Sequence, residues 1–170
     1  MIDFLPFLCL GGAVALLGAL SIIDLRTLLL PDKLVAPFAA LGIVFHTLTD
    51  FVHITPAEMV IGCALGGGSL YLIRFGANAI YKTDTLGLGD VKLLAAAGLW
   101  LGPEGTIIAL ITGAMAGIIH GLLLAAWIGL RTRSIPDMGR FSVPAGPGFA
   151  LGIVIAGVYL LYPQAMDVLQ

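Results

Sequence analysis

Long apolar stretches dominate this chain and leave it few ways to fold. Five of them run over roughly residues 4–23, 34–48, 57–80, 106–130 and 144–162, and a shorter one covers 91–101. A helix crosses the ~30 Å of bilayer hydrocarbon in about 20 residues. The runs are continuous rather than alternating, which argues against a transmembrane barrel. Hydrophobic residues make up 59% of the sequence and charged residues 11%, where a soluble domain carries about 25% charged residues. A globule of 170 residues cannot hide so much apolar surface inside itself, so lipid must cover it. The fold class expected is all-α: a polytopic membrane protein. The connections are too short for a soluble domain, so residues 1–170 read as a single membrane-embedded domain. The first run has no Lys or Arg before it, as a secretory signal peptide requires, and it reads as a retained helix.

The basic residues set the topology. Arg26 and Lys33 fall in the first connection, and the second has only Asp50, His53 and Glu58 nearby. Arg74, Lys82 and Lys92 flank the third, none lies near Pro103 and Glu104 in the fourth, and Arg131, Arg133 and Arg140 fill the fifth. If six helices cross, all 8 Lys and Arg residues share one side. The positive-inside rule makes that side cytoplasmic and puts both termini outside. If the 91–101 segment returned to its own side, the three later arginines would face outward, against the rule. Six crossings is therefore the better count, with the fourth helix thin, tilted or extended into residues 85–89.

Several chemistries lack their residues. A net charge of −2 gives no footing for nucleic acid. Cys9 and Cys63 stand alone in apolar segments, without a C-x-x-C pair. There is no G-x-S-x-G, no H-E-x-x-H and no P-loop. His46 and His53 fall near the outer face and His120 within a span, where interior or interfacial hydrogen bonding is expected rather than a metal site.

Two carboxylates stand out. Asp24 closes an apolar run in IIDLRTLLLPDKL, and Asp90 opens the short helix in GLGDVKLL. Ionisable groups at membrane depth are costly and face a bundle interior or a water-filled cavity. Gly87 and Gly89 give the backbone before Asp90 freedom to turn and to approach another chain closely. Plainer readings exist for each acid. Asp90 is placed to cap its helix, Asp24 to pair with Arg26 or Lys33 or simply to be solvated, and Asp32 after Pro31 to start a helix. If the two carboxylates converge, they cannot both ionise. One then takes a proton from water while the other polarises a carbonyl, with no metal or cofactor needed. A rival use of the same acids is proton- or cation-coupled transport. A non-catalytic scaffold is a further rival, but the small-residue rows Gly62–Gly66 and Gly113–Gly117–Gly121 signal helix packing under any of these readings.

The ordered set IIDLRTLLLPDKL, then GLGDVKLLAAAGLWLG, then VPAGPGFALG resembles the type IV prepilin peptidases, intramembrane aspartyl proteases with a G-x-G-D motif. Together the blocks cover most of the chain. The resemblance implies a six-helix core in the prokaryotic cytoplasmic membrane, with its site at the cytoplasmic face. It makes Asp24 and Asp90 the catalytic pair, Gly87 and Gly89 the motif glycines, and Lys92 the motif lysine, which would help hold one carboxylate ionised or anchor its helix. The partner implied is a prepilin or pseudopilin with a short, often basic leader before a hydrophobic helix, cut at that border. Larger members carry an N-terminal insertion with paired cysteines linked to N-methylation. Nothing here matches it, so methyl transfer is not expected, and the compact form looks like the short enzymes of Tad/Flp pilus systems.

Overall fold

The computed structural model describes residues 4–82, 86–132 and 144–167. Among these the chain is all helical: α1 (Phe4–Thr27), α2 (Asp32–Leu48), α3 (Pro56–Tyr81), α4 (Leu88–Thr132) and α5 (Gly146–Asp167). Three helices are long and apolar enough to cross a membrane, Phe4–Thr27, Pro56–Tyr81 and Leu88–Arg131. Large side chains such as Phe7, Leu72, Phe75 and Leu123 point outward, as expected where lipid is the solvent.

The helix ends follow local chemistry. α1 stops where Leu28 turns left-handed, with its N–H bonded to the Asp24 carbonyl at 2.9 Å. Pro31 holds the extended backbone before α2, and Asp32 puts a negative charge at that helix's positive end. α3 opens with a capping box: Glu58 N–H donates to the Thr55 hydroxyl and Thr55 N–H to the Glu58 carboxylate, with Pro56 in the first turn.

α4 holds both the short apolar segment and the next long one. It breaks at Gly102, whose φ of 61° and ψ of −170° lie outside the helical region. Positive φ favours glycine, and an extended ψ suits a residue before proline, here Pro103. The sequence expected two helices across 91–130; the structure turns them into two arms of one element. The first arm, 88–101, is about 20 Å long at 1.5 Å per residue, and it starts at Leu88, inside the 85–89 extension expected.

The break leaves carbonyls at the end of the first arm without helical partners, and α2 supplies one. His46 Nε2 donates to the Trp100 carbonyl at 3.0 Å, and Trp100 Nε1 donates back to the Phe38 carbonyl at 2.8 Å. Both bonds are buried, under stacked Phe38, Phe45 and Trp100 rings. His46→Phe keeps the bulk but removes the donor. It is expected to cost about 1–3 kcal/mol, the usual effect of stranding a buried polar group. Unfolding in detergent micelles measures this, and a variant as stable as wild type would show that the carbonyl finds another partner.

Glycines let the helices touch backbone to backbone. α3 crosses the first arm of α4 so closely that a Cβ on Gly98 would lie 2.2 Å from the Gly62 carbonyl, and one on Gly66 would lie 2.3 Å from the Leu94 oxygen. The second arm meets α5 similarly, where a Cβ on Gly152 would sit 2.5 Å from the Ala109 oxygen. Of the small-residue rows seen in the sequence, Gly62, Gly66 and Gly113 serve packing by lacking a Cβ; a Cβ on Gly117 would meet nothing within 4 Å, although its backbone nitrogen would lie 2.9 Å from a Cβ on Gly148. α4 thus packs on α2, α3 and α5, while α1 packs on α2 and α5.

Candidate active site

Asp24 lies in the last turn of α1, Asp90 in the first turn of α4, and Gly146 at the start of α5, so all three fall at one end of the bundle. α1 does not pack directly on α4; α2 and α5 fill the sides between them. The two acids therefore reach the same end of the bundle from helices that do not pack on each other. They are close enough for the charge of Asp24 to act on Asp90. Both are buried, at 5% and 8% exposure, which excludes a solvated surface role for either.

Asp24 does not take Arg26 or Lys33 as its hydrogen-bond donor. Its Oδ2 accepts from the Gly146 N–H at 2.8 Å, a buried bond across 122 positions of sequence. The N-terminus of a helix suits a carboxylate, because its free N–H groups and dipole favour negative charge. A Cβ on Gly146 would lie 2.7 Å from Oδ2 and 3.0 Å from Cβ and Cγ of Asp24. Gly146→Ala is therefore expected to push the carboxylate out of place and, on the catalytic role that the resemblance implies for Asp24, to lower turnover by at least about tenfold, since roughly 1 Å of misplacement can cost 10²-fold. Single-turnover rates on matched protein check this, and a wild-type rate would show that Asp24 has room to shift.

Asp90 is not the N-cap of its helix, since α4 begins two residues earlier, at Leu88. Its Oδ1 is buried and has no hydrogen-bond partner. Its Oδ2 crowds Gly87, where a Cβ would sit 3.0 Å away. Gly89 backs onto the loop between α1 and α2: a Cβ there would lie 2.7 Å from Cβ of Leu30. The two glycines thus have separate local tasks. One clears space beside the carboxylate, and the other lets the segment sit against buried Leu30.

Lys92 is turned elsewhere. Its Nζ pairs with both carboxylate oxygens of Asp32 at 2.8 Å, on an exposed surface, so its ion pair ties the start of α2 to the start of α4. His46 and His53 lie at the far end, with ring centroids 6.3 Å apart. No group of three or more metal-ligating side chains occurs among the described residues. Two apolar cavities of about 370 and 430 Å³ are lined by neither aspartate, although the second reaches Leu86 and Ala145, which precede Gly87 and Gly146. Thr85, Arg133, Arg140 and Val143, which figure in the sequence analysis, lie outside the described residues.

Sequence reasoning missed Gly146 as a partner of Asp24. It lies inside VPAGPGFALG, but a backbone N–H leaves no mark in the residue type. It also treated Arg74 only as a topological charge, whereas the Arg74 guanidinium donates to the Leu86 carbonyl, just before the G-x-G-D segment.

Comparison with known proteins bears on this arrangement. A model of the type IV leader peptidase family matches residues 12–122. A prepilin leader peptidase/N-methyltransferase of Pectobacterium carotovorum subsp. carotovorum is 33% identical over 160 residues, which is 92% of this chain and 56% of the relative. The protein of the same description from Escherichia coli strain K12 is 36% identical over 143 residues, 84% of this chain and 59% of the relative. That of Dickeya chrysanthemi is 40% identical over 121 residues, 67% of this chain and 42% of the relative. The chain spans about half the length of these curated relatives. No solved structure matches.

Proposed function

Because the chain belongs to the type IV leader peptidase family, we propose that it is an aspartyl endopeptidase that removes the leader from prepilin-like or pseudopilin precursors. The observation that carries this reading is the pair of buried carboxylates, Asp24 and Asp90, drawn from two helices to one end of the bundle, with Asp90 Oδ1 unpaired.

In the proposed mechanism the two carboxyl groups share one proton, because like charges so placed in an apolar setting do not both persist. The ionised member takes a proton from an attacking water. The protonated member donates to the carbonyl oxygen of the scissile bond and stabilises the tetrahedral intermediate. A proton then passes to the departing amine as the C–N bond breaks. The pair titrates as a unit, so neither role belongs to one residue. The Gly146 N–H orients Asp24 throughout.

The same reading takes the whole of 1–170 as one membrane-embedded peptidase domain with six crossings, each arm of α4 making one. Arg26, Lys33, Lys82, Lys92 and Arg131 lie at the helix ends nearest the two acids. By the positive-inside rule that end faces the cytoplasm and both termini face out, in the cytoplasmic membrane of a prokaryote. A precursor whose apolar helix lies in the bilayer would then present its leader junction at the depth of the two acids. Proton- or cation-coupled transport is the less favoured use, since a transport site lies near the midplane and both acids lie at one end.

The test is cleavage of a candidate prepilin in membranes containing this protein, with the product mass read out. Cleavage at the border between leader and apolar helix is the expected result. Intact precursor across a panel of prepilins and pseudopilins would overturn the proposal.

A further inference from the structure

Arg74 interrupts an apolar stretch of α3, in LYLIRFGANAIY. A guanidinium stays charged in proteins, and at membrane depth such a group is kept only where it finds partners. It is part-buried, and its Nη1 donates to the carbonyl of Leu86. Leu86 itself packs against the core and directly precedes Gly87, Leu88, Gly89 and Asp90.

That segment needs outside support. Glycine has the widest backbone freedom of any residue, and two of the three residues before Asp90 are glycines. Gly89 is braced on one side by Leu30. Leu86, at the other end, is held by a cation on the neighbouring helix. The guanidinium's fixed fork gives direction as well as strength to that bond. α3 is in turn locked to the first arm of α4 through the Gly62–Gly98 crossing, so Arg74 and the segment it holds belong to one packed unit.

We infer that Arg74 is a positioning residue for the peptidase reaction: by holding the Leu86 carbonyl it fixes the turn that aims the Asp90 carboxylate at Asp24. It acts through the backbone and touches no substrate. This rests on the proposed peptidase function.

The experiment compares R74M, which keeps an unbranched apolar stem but has no donor, with R74K, which keeps a cationic donor. Both are assayed in purified form on a cleaved prepilin, per folded molecule, with amide hydrogen exchange followed over residues 86–90. R74M is expected to lose at least about tenfold in kcat with KM within about twofold, as fits a misplaced catalytic group. Its 86–90 amides are expected to exchange faster than in wild type, and R74K to recover most of both effects. Equal turnover in R74M and wild type would overturn the inference. So would a loss confined to KM, or unchanged exchange at 86–90. If R74M does not accumulate, R74L, which also has no donor, takes its place under the same readings. Absence of cleavage by wild type would count against the peptidase function itself, whereas wild-type cleavage with indifferent Arg74 variants would count against this inference alone.

Discussion

Asp90→Asn is expected to stop precursor processing, and Asp24→Asn to do the same. Asparagine keeps the size of the side chain and one oxygen, but it cannot cycle a proton. General acid–base catalysis contributes roughly 10²–10⁴-fold, and under the proposed mechanism each substitution removes half of a unit that works only as a pair. Groups that act as a unit lose their effects together, so the double variant is expected to fall no further than the worse single one. The measurement is the rate at which precursor converts to product in membranes holding equal amounts of enzyme. A single variant that retains more than a tenth of the wild-type rate would dismiss the pair as the catalytic centre. Asp32→Asn is the contrasting change. It breaks the exposed pair with Lys92, and surface pairs have a median worth of about 0–1 kcal/mol, so processing is expected to continue.

Gly98→Ala is expected to produce the largest loss of stability among single-methyl changes. The added carbon would lie 2.2 Å from the carbon and oxygen of Gly62 and 2.4 Å from the Cys63 nitrogen. All three are backbone atoms, so no rotamer change relieves the clash, and α3 and the first arm of α4 must move apart. Overpacking costs about 1–3 kcal/mol and occasionally more, against total stabilities of about 5–15 kcal/mol. Gly68→Ala is the matched control. It lies in the same helix pair, but its Cβ would meet nothing within 4 Å, and alanine is favoured over glycine in a helix interior by about 1 kcal/mol. Thermal unfolding in one detergent should lower the midpoint for Gly98→Ala and hold or raise it for Gly68→Ala. Equal midpoints would show that the helices do not cross this closely. Processing should fall with the first change as well, because the moved arm carries Asp90.

Hydropathy alone located the helices, because lipid demands long unbroken apolar runs and the chain supplies them. α1 and α3 match their stretches closely, apart from the last turn of α1, which extends to Thr27 past the charged pair Asp24 and Arg26. The break in α4 was readable from Gly102-Pro103, a pair that cannot continue a helix unchanged. Its consequence, a carbonyl satisfied by His46 from another helix, was not readable, because nothing local to either residue states the contact. Asp24 and Asp90 stood out because a charge in hydrocarbon demands a reason. Their surroundings did not stand out. The Asp32–Lys92 pair spans 60 positions and the Asp24–Gly146 bond 122, and spacing rules reach only about one helical turn. Leu30 is a leucine among leucines until Gly89 is seen against it.

The bond from Gly146 to Asp24 also has a consequence for timing. The first carboxylate emerges early in synthesis and the second midway, but the N–H that orients the first belongs to the last helix. A nascent chain halted before Gly146 would hold both acids and still lack their alignment. Under the proposed function, a chain that ends before Gly146 is therefore expected to leave precursor uncut although it carries both acids.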